Sequence, residues 1–246
     1  MEVHHHSHTA RKKWTHYFWE FLMLFLAVFC GFLAEYILEH KIEKAREKQF
    51  IQSLLNDLKA DTANITKLNS FRLTIRNQTE NLIGLLTSDS LNEKGFEIYN
   101  DASRISQRAF FYAADGTIQQ LKNSGGLRLI TQVNVADSIK AYDVLYRSIL
   151  TLQQLEEEQV IKYREMAAKI LDTKILSKLF IGDISDDSLR HLKPKLKQYD
   201  PLLLNEFSNL LLYRRGNSNR IYFELEELYK KGAMLIELIH KKYHIN

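Results

Sequence analysis

The chain has 246 residues and a formal charge of +4, with 45% hydrophobic and 26% charged residues; this composition excludes a disordered polymer and a strongly basic nucleic-acid-binding protein. Only 9 glycines and 2 prolines punctuate it, too few for the turns of an all-β domain of this length, and the single cysteine, Cys30, excludes an intramolecular disulfide framework. Mean hydropathy is -0.29, so any long apolar run is a local feature of a water-compatible chain.

Residues 1–13 read as a short basic and His-rich tail. His4, His5, His6 and His8 are candidate imidazole ligands for a transition metal, while a tag or a solvated tail accounts for the same run. Residues 14–38, WTHYFWEFLMLFLAVFCGFLAEYIL, predict a transmembrane helix. As a helix the run measures ~37 Å, enough to cross a hydrocarbon core of ~30 Å. Trp14, Tyr17 and Trp19 at one end and Tyr36 at the other suit the two membrane interfaces. A cleaved signal peptide fits poorly, because Ala34 has Phe32 two residues before it; a lipoprotein cysteine fits poorly, because Phe29 precedes Cys30. An uncleaved signal anchor is expected. Arg11, Lys12 and Lys13 precede the span and Lys41, Lys44, Arg46 and Lys48 follow it, so charge alone does not orient it. A short basic N-terminus before such an anchor favours a cytoplasmic N-terminus and a translocated C-terminal domain.

The span has two unlike faces. At ~100° per residue, His16, Glu20, Ala27, Gly31 and Ala34 share one direction and Glu35 flanks them. Ala27 and Gly31 form a small-xxx-small step that admits a second helix closely, and carboxylates near hydrocarbon turn toward protein or water. These six residues are the expected docking face for another transmembrane helix, from a different subunit or a second copy.

Residues 39–87 predict a continuation of the same helix as a stalk, with Ile51, Leu54, Leu58, Ile65, Leu68, Ile75, Leu82 and Leu86 in a 3-4 stagger interrupted by Asp61, Arg72 and Thr79. The seam suits either the inner face of a helical bundle or a coiled coil with a second chain. Residues 88–246 predict a helical soluble domain. A loop is expected at Ser88–Ser90, a helix over Leu91–Tyr112, a turn at Asp115-Gly116, and a short helix over Ile118–Ser124 capped by Thr117 and ended by Gly125-Gly126. A long helix follows over Asp137–Asp172, then a polar loop over Gly182–Ser188. Asp200-Pro201 starts a helix to Tyr213, an Arg-Gly-Asn turn follows, and a last helix covers Ile221–His244. Glu156, Glu157 and Glu158 read as a solvated face. His240 and His244, spaced i,i+4, read as cations at a helix C-terminus rather than ligands.

No catalytic constellation emerges: there is no nucleophile elbow, no Cys-His pair, no zinc-protease motif, and Ser124-Gly125-Gly126 lacks the lysine and strand of a phosphate loop. No cofactor is expected. The layout resembles the uncharacterised single-pass membrane proteins that recur in Bacteroidota genomes, a domain-of-unknown-function family. The resemblance rests on HYFWEFLMLFLAVFCGFLAEYILEH, on REKQFIQSLLNDLKAD, and on DGTIQQLKNSGGLRLI over Asp115–Ile130. It implies an inner-membrane anchor and a helical periplasmic domain, and it implies no activity. The expected function is therefore a non-enzymatic accessory or assembly subunit of a membrane complex, with the lipid bilayer and other transmembrane subunits as partners. The alternative is a periplasmic ligand-sensing module that signals through a partner.

Overall fold

The computed structural model describes residues 14–182 and 185–245. The all-α expectation is met: seven α-helices and no strand occur among the described residues. They are α1 (Trp14–Leu86), α2 (Gly95–Ile105), α3 (Gly116–Asn123), α4 (Val133–Ile170), α5 (Thr173–Ile181), α6 (Asp186–His191) and α7 (Pro201–Tyr243). The chain divides into two compact units, Met1–Gln49 and Phe50–Asn246.

In the first unit, α1 contains an 18-residue window of mean hydropathy 2.3, none of it buried inside the protein. It is the one described helix long and apolar enough to cross a membrane. No glycine before Gly31 and no proline interrupts it, so nothing in the run stops helix propagation.

The second unit is a bundle of α1 from Phe50 onward, α4 and α7, with α4 and α7 packed along each other. Apolar spacing at three and four residues gives each long helix one buried stripe. Ile51, Leu54, Leu58 and Ile65 of α1 meet Ile139, Tyr142 and Ile149 of α4 and Ile221, Leu228 and Ile239 of α7 in one core. Leu82 and Leu86 meet Tyr163 and Ile170, Leu204 and Phe207, and Ile98 and Tyr99 of α2 in a second. The stagger of α1 is thus the inner face of a bundle formed within the chain. Order along each helix shows that α1 and α4 run the same way and α7 runs back.

Several predicted boundaries move. The helix expected over Leu91–Tyr112 is a single 3-10 turn, Leu91–Glu93, followed by α2, which stops at Ile105; residues 107–115 have no regular secondary structure. Thr117 is inside α3, with Asp115 in the preceding cap position. Gly125 ends that helix at φ 66, as its left-handed conformation allows. The polar loop at Gly182–Ser188 gives way to α6, where the Ser185 hydroxyl accepts from the Ser188 N–H. The expected start at Asp200-Pro201 is met, the Asp200 carboxylate accepting from the Leu202 N–H at 3.0 Å. The Arg-Gly-Asn turn is not: Arg215, Gly216 and Asn217 lie inside the 43-residue α7. Arg214 and Asn217 on either side are buried, and Asn217 donates to Leu152 O on α4, so tertiary contacts hold the helix through its weak glycine.

Candidate functional site

The first unit carries its polar groups on an exposed helix, and the second holds several of them buried. On the span of α1, every residue of the expected docking face is exposed: His16, Glu20, Ala27, Gly31, Ala34 and Glu35. His16 and Glu20 are linked across one turn, Nε2 to Oε1 at 3.1 Å. A Cβ placed on Gly31 would meet nothing within 4 Å, so the small step is open space. On the far side of the helix, Phe21, Phe25 and Phe29 stack in series with ring centroids 6.2 and 6.0 Å apart. Helical geometry adds Phe18, Phe32 and Tyr36 to that direction, which centres about 120° from Gly31 and about 150° from the middle of the small, acid-edged face. The interfacial candidates Trp14, Tyr17, Trp19 and Tyr36 are all exposed. The candidate ligands His4, His5, His6 and His8 lie outside the described residues.

In the bundle, the chemistry-bearing residues gather in a layer that sequence spacing did not reveal. Arg72 of α1 faces Glu156 of α4, Nη1 to Oε1 at 3.0 Å and Nη2 to Oε2 at 2.9 Å, with both side chains almost fully buried. Glu156 is therefore no part of a solvated face, and its neighbour Glu157 pairs with Arg108. Arg214 of α7 lies in the same layer, 4% exposed, its guanidinium 5.2 Å from the centroid of the Tyr163 ring. Burial lowers its affinity for a proton, and the negative charge of Glu156 opposes that. Between the two apolar cores, Arg72 is thus hydrogen-bonded to the Glu156 carboxylate, while Arg214 feels its charge from within the same layer.

The layer extends into a seat for residues 107–115. Gln153 of α4 pairs with both backbone groups of Phe111: its Oε1 accepts from the N–H at 2.6 Å and its Nε2 donates to the C=O at 3.1 Å. That is how a neighbouring β-strand would pair, with a side-chain amide replacing the strand. Arg72 Nη2 donates to Ala109 O, and Arg214 Nη2 reaches Gln107 O at 3.5 Å. Asp61 of α1 accepts from the Ala114 N–H at 2.7 Å, and the Tyr146 hydroxyl accepts from the Ala113 N–H at 3.3 Å. The Phe111 side chain is wholly buried in the first core. A buried backbone needs partners, and here three helices supply them from side chains. Asp61, Arg72 and Gln153 are consumed by that task.

Asp61 also accepts from the Tyr142 hydroxyl at 2.8 Å. Burial pushes its carboxyl above the ordinary carboxylate range, against the two hydrogen bonds that favour the ionised form. Burial likewise raises the Tyr142 phenol, and the adjacent Asp61 charge raises it further. Asp143 goes the other way. Burial pushes its carboxyl up, but hydrogen bonds from Arg147 and Lys122 outweigh this and hold it below the usual range.

Among the described residues, no group of three or more His, Cys, Asp or Glu side chains is placed to hold a metal ion. No family model, no curated protein and no solved structure matches this chain.

Proposed function

We propose that this chain is a non-enzymatic, membrane-anchored accessory or assembly subunit that docks onto a partner helix through residues 14–38. The observation that carries the reading is the division of the span into a stacked phenylalanine face and an opposed small, acid-edged face. Phenylalanine side chains suit lipid, whereas an open glycine step beside a His-Glu pair suits a second helix, where close backbone approach and polar contacts hold helices together. In this reading the N-terminus is cytoplasmic, the helical domain is periplasmic, and the membrane is a bacterial inner membrane. Asp61, Arg72 and Gln153 of the bundle fit a structural part, because each binds the chain's own backbone.

The test is co-purification of the full chain in mild detergent. Gly31→Leu should sharply reduce recovery of the partner, or of self-association, while leaving helical content unchanged. Phe25→Leu, on the opposite face, should not. Equal losses from both variants, or from neither, would overturn the reading.

A further inference from the structure

We propose that the cleft between α2, α4 and α5 binds a monoacyl chain bearing a carboxylate. This inference stands apart from the docking role of the span and does not rest on it.

The cleft has a volume of about 320 Å³, at the small end of ligand pockets. Its walls come from Ala102 of α2, Tyr163, Ala167 and Ala168 of α4, and Leu176 and Phe180 of α5. The three alanines leave the space that larger side chains would fill. Both hydroxyls that line it are already engaged, Tyr163 donating to Ala102 O at 2.7 Å and Ser106 to Ser103 O at 2.6 Å. An occupant of the floor therefore finds apolar contacts and no unspent donor, which suits methylenes. α5 supplies the overhang. It is amphipathic in sequence yet has no buried residue, and Phe180 and Ile181 at its end are 61% and 70% exposed.

The mouth supplies the charge. Arg164 lines the cleft and is exposed; its Nη2 donates to Ser106 O at 2.8 Å, which fixes the guanidinium at the rim. It makes no ion pair among the described residues. The rest of its donor fork is free for a carboxylate, which a guanidinium binds in two-point fashion. An apolar slot with one cation at its exposed rim fits an amphiphile with one tail and one anionic head.

The probe is dodecanoate carrying a photoreactive diazirine near its terminal methyl group, added to the full chain in lipid nanodiscs, with labelled peptides mapped by mass. Labelling should fall on peptides from Ala102–Ser106, Tyr163–Leu171 and Leu176–Phe180. Excess dodecanoate should displace it, and dodecanol should do so at least tenfold less well. Ala168→Phe fills the slot from an exposed position and should cut labelling about tenfold. Arg164→Gln should abolish the preference for dodecanoate over dodecanol, with the same circular dichroism as the parent. Labelling confined to Trp14–Leu38 would mean simple partition into lipid and would overturn the proposal. So would equal competition by dodecanol in the parent chain, or labelling unchanged by Ala168→Phe.

Discussion

Arg72 and Glu156 meet as two parallel hydrogen bonds between forked groups, 84 residues apart in the chain and sealed between two apolar cores. Removing one member of such a buried pair strands the other, at about 3–5 kcal/mol. Here the two members are not equivalent, because Arg214 also feels the charge of Glu156. Glu156→Met leaves two buried guanidiniums and should cost the most. Arg72→Met leaves Glu156 with Arg214 and should cost less. The double variant should be more stable than Glu156→Met alone. Urea unfolding of the full chain, followed by circular dichroism, gives the order, and a double variant that is the least stable of the three would contradict it.

Gln153 can be tested independently of charge. Gln153→Leu keeps the volume roughly and leaves the Phe111 N–H and C=O without their partners. Each unsatisfied buried group costs about 1–3 kcal/mol. The loss should be local as well as global. Amide exchange at Phe111 and its neighbours should accelerate more than exchange in the centres of α4 and α7, as hydrogen-exchange mass spectrometry can resolve. Uniform acceleration across the bundle would argue against a dedicated seat.

The pH dependence of Asp61 has a definite sign. Its folded carboxyl titrates above the unfolded value, so the folded state binds the extra proton. The stability this contributes is fully present below the unfolded pKa, about 3.9, and is lost as pH rises through the higher folded pKa. Asp61→Asn removes that titration and keeps an oxygen for the Ala114 N–H. The parent should therefore gain stability relative to Asp61→Asn as pH falls from 7 toward 4. The comparison cancels Asp143, whose depressed value acts in the opposite direction.

Gly95 opens α2 where Pro194 crosses it. A Cβ there would lie 1.6 Å from Pro194 O and 2.7 Å from Pro194 C, so backbone must move. Gly95→Ala should destabilise by about 1–3 kcal/mol, as overpacking does. It should also loosen Leu196 and the hydrogen bond from Tyr99 to Lys195 O. Gly116→Ala is the control, since a Cβ there meets nothing within 4 Å.

The parts of this fold that were legible in the sequence are the ones governed by local pattern. The apolar run of α1, its continuation past Leu38 to Leu86, and the Asp200-Pro201 start all follow from spacing and capping. The errors share one physical cause. Ala109–Ala114 has ordinary helix-compatible side chains, but Gln153, Arg72 and Asp61 bind its backbone from positions 42, 37 and 53 residues away. Gly216 looked like a turn because its context, Arg214 and Asn217 held by other elements, is invisible at short range. Glu156 looked solvated beside two other glutamates for the same reason. One clue was available: Asp61 and Arg72 interrupt the apolar stagger of α1 at inward positions, and a charge there needs a partner. The small and acidic residues of the span, by contrast, form a purely local pattern, and among the described residues none of that face is buried.

The seat around residues 107–115 grips main-chain atoms, and main-chain atoms are the same for every amino acid. Apart from the Phe111 side chain and the Arg108–Glu157 ion pair, this stretch is held by what its neighbours are rather than by what it is itself. Its sequence is therefore free to drift under selection while its path stays constant. A saturation mutagenesis map would invert the usual expectation for a loop and its scaffold. Substitutions at exposed Gln107, Arg108 and Tyr112 would be tolerated broadly. The intolerant sites would lie on the long helices, at Asp61, Arg72, Gln153 and Glu156.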